Sequence, residues 1–170
     1  QEKFDYPRPW VDEDGLLPLA EKQQKHLTGW KRPSQFMRGK PTMIASVTPY
    51  SIKQDLISDC SFVASLCIAS AFEQRFHKQL ITSIIYPQDK RRVPKYNPAG
   101  KYMVKLWING IARKASKAFC IHPSVMVDDL LPTGENGRLL CSASTDKREL
   151  WVSIIEKAYL KVRKSLHHTT

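Results

Sequence analysis

The chain has 170 residues, 42% of them hydrophobic, and 27 Lys+Arg against 16 Asp+Glu give it a net charge of +11. That is one domain's length with apolar material for a core, which excludes a disordered tail; 7 Gly, 11 Pro and no fixed period exclude collagen-like and solenoid architectures. The longest weakly polar stretch, residues 62–72, is about half the ~20 residues a membrane span needs, so no transmembrane segment is expected. Without a charged-then-apolar leader a cytoplasmic location is expected, and a first residue of Gln1 rather than Met points to a piece of a longer protein.

Residues 1–50 read as an irregular lead-in. Pro7, Pro9, Pro18, Pro33, Pro41 and Pro49 break any long helix, a short polar helix fits only around 19–27, and Trp10, Trp30, Phe36 and Met43 are expected to pin the segment to its neighbours. Ser58 and Asp59 are capping residues ahead of a helix over 60–73. Its bulky positions Phe62, Val63, Leu66, Phe72 and Phe76 are joined by Ala, Ser and Cys, which predicts a central helix packed all round. A polar link over 87–100 leads to an alternating run at 102–108 that ends in Asn109-Gly110, a hairpin signal, with the partner strand resuming near 125–127. Asp146 to Glu149 has the form of a capping box. It opens an amphipathic helix with Leu150, Trp151, Ile154, Ile155, Ala158, Tyr159 and Val162 on its apolar stripe.

Cys60, Cys67, Cys120 and Cys141 lack CxxC spacing and no His completes a zinc pattern, so all four are taken as thiols. The basic clusters Lys90-Arg91-Arg92, Lys95, Lys101 and Lys157, Lys161, Arg163, Lys164 have no interleaved aromatics, which favours solvated faces over a nucleic-acid surface. Cys60 opens a predicted helix, where unpaired N–H groups and the macrodipole favour a thiolate. Gln54, six residues upstream, carries an amide able to donate to an oxyanion beside the sulfur, with the Cys60 N–H as second donor. By spacing alone, a structural cysteine and a nucleophile both remain open.

The run Tyr50-Ser51-Ile52-Lys53-Gln54-Asp55-Leu56-Ile57-Ser58-Asp59-Cys60-Ser61, continuing to Ser65, resembles the catalytic-cysteine motif of the calpains, papain-like cysteine endopeptidases, and within them the PalB-type branch. Further motifs follow in the family's order at 101–106 with Asn109-Gly110, at 127–132, at Glu149-Leu150-Trp151 and at 156–159. The resemblance implies an α+β fold, the first subdomain of a papain-like protease, with a central helix bearing the Cys, further helices and a small β-hairpin, over residues 51–162. It implies Cys60 as nucleophile and Gln54 as oxyanion-hole residue, a protein or peptide substrate, and a second catalytic subdomain carrying the His and Asn that complete the site. None of His26, His77, His122, His167 or His168 stands in the family's histidine motif. Partners among endosomal sorting proteins, and an endosome-associated location, are also implied.

The sequence departs from that pattern in places. Ser61 and Ser58 stand where most calpains have Trp and Gly, residues 115–124 interrupt the passage into 125–127, and residues 163–170 form an atypical tail. Conventional calpains hold calcium in this subdomain, and Glu149 corresponds to one of the acidic ligands. Ser51 replaces another, so the calcium site is expected to be degraded; by position Glu149 also fits the N3 partner of the capping box. The rival expectation is a non-catalytic interaction module that binds a partner through its basic surface or open cleft face.

Overall fold

A computed structural model describes residues 2–17, 19–57, 59–108, 111–112 and 124–167. The expected insert at 115–124, apart from Ser124, and the end of the tail lie outside these residues, as do Ser58, Asn109 and Gly110. In chain order the elements are α1 (Glu21–Gln24), β1 (Gly29–Lys31), α2 (Pro33–Phe36), a 3-10 turn (Pro49–Ser51), β2 (Ile52–Lys53), α3 (Cys60–Phe76), α4 (Ile81–Ile84), β3 (Ile85–Tyr86) and β4 (Lys101–Lys105). There follow β5 (Trp107–Ile108), β6 (Ile111–Ala112), β7 (Ser124–Asp128), β8 (Leu131–Thr133), a 3-10 turn (Glu135–Gly137), β9 (Ala143–Ser144) and α5 (Trp151–His167). Helices and short antiparallel strands together make the α+β first subdomain that the sequence implies.

The largest sheet is antiparallel, in the order β3-β4-β7. Its register sets Tyr102 opposite Val127 and Val104 opposite Val125, and all four side chains are fully buried. Alternation puts them on one face, and directly opposed aromatic and β-branched pairs are a stabilising unit of a sheet. That face is covered by α5, whose Trp151, Ile154, Ile155, Ala158 and Val162 recur at helical spacing and are all buried. β5 and β6 pair Ile108 with Ile111, while the expected turn residues Asn109-Gly110 lie outside the described residues. The lead-in is more regular than expected: β1 pairs with β8, and Pro33 starts α2 at its first turn, where the missing N–H costs no bond.

Three expectations are corrected. α3 is not packed all round within this chain: it buries Phe62, Leu66 and Ser70 but leaves Ile68, Phe72 and Phe76 exposed, and the enclosed helix is α5, buried at every position from Trp151 to Ala158. Lys101, Lys157 and Lys161 are not on solvated faces. Lys101 pairs with Glu2, Lys157 with Asp128, and Lys161 with Asp12 and Asp14. Burial would depress Lys101, but the Glu2 carboxylate and Tyr6 hydroxyl hold its ammonium above the usual lysine range. Finally, Asp146 and Glu149 form no capping box. Asp146 holds the Arg148 guanidinium, α5 begins two residues beyond Glu149, and the Glu149 carboxylate turns inward.

Candidate active site

Cys60 is the first residue of α3, and Asp59 is its N-cap. The Asp59 Oδ1 accepts from Ser61 N at 2.9 Å and Phe62 N at 3.4 Å. Those are two of the leading N–H groups that a helix cannot satisfy internally, and the Cys60 N–H belongs to the same set. The helix therefore starts at a fixed point, with an exposed thiol on its first residue. Cys67 is half-buried and Cys141 buried; Cys120 lies outside the described residues.

The Gln54 Nε2 lies 3.1 Å from Cys60 Sγ. The intervening segment is short of regular structure but is tied down along its length. Thr48 caps the 3-10 turn by accepting from Tyr50 N, and Ile52 and Lys53 pair with Ser144 and Ala143. The Asp55 carboxylate is gripped by Arg138, Nε at 2.9 Å and Nη2 at 3.0 Å, and buried Ile57 donates its N–H to Leu140 O at 3.0 Å. One amide donor and one helix-end N–H are thus gathered around a thiol, the arrangement that stabilises an oxyanion formed when the sulfur adds to a carbonyl.

The remaining sequence candidates are placed elsewhere. His77 ends α3 with φ 53°, a helix's length from Cys60, roughly 25 Å at 1.5 Å per residue. His26 follows α1; His122, His168 and the His167 side chain lie outside the described residues.

Glu149 is buried, and Ala45 N at 2.5 Å and Ser46 N at 2.9 Å both donate to its Oε1, while the Ser144 hydroxyl donates to Oε2. Ser51 turns its hydroxyl to Thr48 O. Among the described residues no three His, Cys, Asp or Glu side chains gather as a cation cage. Three protein donors thus meet the Glu149 carboxylate, and the Ser51 hydroxyl is turned to the backbone.

Sequence reasoning read Arg163 as part of a solvated basic cluster, whereas its Nη1 lies 2.5 Å from Asp59 Oδ2. It sits four residues after Tyr159, at the border of the apolar stripe of α5, and that position was the signal available. Tyr159 stacks on Phe62 with ring centroids 4.7 Å apart, docking α5 on the first turn of α3.

Comparison with known proteins gives these elements a family. Residues 11–170 match the calpain family cysteine protease family. The chain is 54% identical over 162 residues to Calpain-7 of Mus musculus and to Calpain-7 of Homo sapiens, covering 95% of this chain and 19% of each relative. It is 36% identical over 154 residues to the calpain-like protease palB/cpr-8 of Neurospora crassa, covering 85% of this chain and 15% of that protein. The chain thus spans about a fifth of the length of the Calpain-7 proteins it matches. Since the match runs through Gln54 and Cys60 and on to the last residue, and the described residues form the expected α+β unit, the chain belongs to the calpain family of cysteine proteases.

Proposed function

We propose that this chain is the nucleophile-bearing part of a calpain-type cysteine endopeptidase, with Cys60 as nucleophile and Gln54 as oxyanion donor. The observation that carries it is the 3.1 Å approach of the Gln54 amide to the Cys60 sulfur at the capped end of α3. In this reading Cys60 Sγ adds to the carbonyl carbon of a peptide bond, and the developing O⁻ accepts from Gln54 Nε2 and the Cys60 N–H. The tetrahedral adduct collapses to a thioester and the amine leaves with a proton. Water then adds to the thioester, and the thiol is restored as the acid product departs. The proton taken from the thiol and given to the amine passes through a base, which we assign to a second catalytic subdomain supplied by the longer protein.

The support for a covering subdomain is a row on α3: Ile68, Phe72 and Phe76, spaced by four residues and exposed, with the two phenylalanine rings 4.8 Å apart. Exposed apolar rows of this kind mark interaction surfaces. The same row is what favours the rival, a module that only binds a partner. Calcium is not required in this reading, because Glu149 is held by protein donors. The family resemblance further supports cytoplasmic action on protein substrates, with endosomal sorting proteins as partners and no nucleic-acid ligand. No helix among the described residues is long and apolar enough to cross a membrane.

The test is a fluorogenic peptide assay on the chain mixed with a separately made second subdomain, beside a Cys60→Ala control. The chain alone is expected to show no turnover, since losing part of a nucleophile–base unit costs on the order of 10⁴ to 10⁶ in rate. Turnover that appears on mixing and vanishes in Cys60→Ala supports the protease; binding of the second subdomain without turnover under any condition supports the rival.

A further inference from the structure

We propose that Arg163 is a positioning residue for the Cys60 nucleophile: it takes up the Asp59 carboxylate, which otherwise competes with the Cys60 thiolate for the N-terminus of α3. The proposal rests on the reading of Cys60 as nucleophile. A helix N-terminus offers about half a positive charge, and consecutive residues place two acidic groups on it. Asp59 already occupies the Ser61 and Phe62 N–H groups. A second negative charge beside it is disfavoured, because like charges a few ångströms apart oppose each other's ionised forms.

Arg163 resolves the conflict from 104 residues away. Its Nη1 lies 2.5 Å from Asp59 Oδ2, on the oxygen that the helix end does not use. The guanidinium rests over the Tyr159 ring, 5.9 Å from its centroid, and Tyr159 is stacked on Phe62 of the first turn of α3. The charge is thus docked to the same turn that carries Cys60. Among the described residues, the segment leading to Cys60 also carries Lys53 and Asp55 with its partner Arg138, and α1, whose Gln23 bonds Leu56 O, brings Glu21 and Lys22. Asp55 is itself paired, so both acids of residues 54–60 carry an arginine brought from another element. The Asp59 and Arg163 side chains are 27% and 42% exposed, so solvent screens the effect and it is several-fold rather than thousands-fold.

The test is timed iodoacetamide alkylation of the full 170-residue chain at low concentration across a pH series, with peptide mass spectrometry and circular dichroism to confirm folding. Arg163→Met is expected to slow Cys60 alkylation at pH 7 on the order of fivefold and to move its pH–rate curve to higher pH. Arg163→Lys restores most of the rate, and the Cys67 rate is unchanged. In the Asp59→Asn background, which keeps a capping oxygen, Arg163→Met loses its effect. An unchanged Cys60 curve in Arg163→Met, or a slowing that persists in Asp59→Asn, overturns the proposal while leaving the nucleophile in place. If Cys60 in the unaltered chain alkylates no faster than Cys67, the nucleophile reading falls and takes the proposal with it. Should Arg163→Met fail to fold, Arg163→Gln takes its place: the same slowing, lost in the Asp59→Asn background, is expected, and an unchanged Cys60 curve or a slowing that persists in Asp59→Asn overturns the proposal.

Discussion

The Gln54 amide reaches Cys60 Sγ because the short segment between them cannot relax: β2 pairing precedes it, Arg138 grips Asp55, and Ile57 is bonded and buried. The same thiol stands on an exposed helix end, while those of Cys67 and Cys141 are progressively enclosed. Iodoacetamide is therefore expected to modify Cys60 first, half-buried Cys67 later and buried Cys141 only on unfolding. Equal rates at Cys60 and Cys67 would remove the argument for an activated thiol. Burial pushes the Cys141 thiol up to about 12, and the nearby Glu156 carboxylate adds to the rise. The unfolded thiol ionises near 9.0, so between these values the unfolded chain binds fewer protons than the folded one. Stability should accordingly fall as pH rises from about 9 toward 12, and Cys141→Ala should flatten that fall in urea melts taken across the same range.

Among the elements, α5 shows what a sequence pattern can and cannot convey. Its apolar stripe is legible from spacing, and so are β4 and β7, because periodicity is local. Glu156, Lys157 and Lys161 were not legible as buried groups. Each occupies a polar position of an amphipathic pattern, and the acids that hold Lys157 and Lys161, Asp128 and Asp12, come from distant parts of the chain. Lys157 and Asp128 have side chains only 2% and 1% exposed. Lys157→Met leaves the buried Asp128 carboxylate without its counter-ion, held by the Asp12 and Leu130 N–H groups, and should cost about 3–5 kcal/mol, read as a lowered urea midpoint; a loss below 1 kcal/mol would show that Asp128 is accommodated without the ion pair. Glu149 teaches the same lesson from the other side, since motif form suggests a cap, the family resemblance a metal ligand, and only three-dimensional placement shows three protein donors on its carboxylate. Glu149→Ala should cost ~2–4 kcal/mol by orphaning those donors. Addition of millimolar calcium should leave the melting temperature of the unaltered chain unchanged, and a calcium-dependent rise would restore a metal site at this position.

At the scale of the whole molecule, α3 joins two tasks on two faces. One face packs into the core through Phe62 and Leu66, while the other presents Ile68 at 71%, Phe72 at 42% and Phe76 at 53% exposure. Small residues between bulky ones made this helix read as packed all round; which side stays open depends on what covers it, and no local pattern records that. If the second subdomain covers the row, Phe72→Lys should change the stability of the isolated chain by no more than about 0.5 kcal/mol yet weaken reconstitution at least tenfold in a titration of turnover against added subdomain. Unaltered reconstitution would move the interface elsewhere. The central claim, that Cys60 assisted by Gln54 performs the acyl transfer, is tested most directly by trapping. A peptidyl epoxide is added to the reconstituted enzyme and the labelled residue is located by mass spectrometry. The account predicts a label on Cys60, blocked by substrate, absent together with all turnover in Cys60→Ala, and formed with turnover lowered about 10²- to 10³-fold in Gln54→Ala. A label on another thiol, or turnover that survives Cys60→Ala, would contradict it.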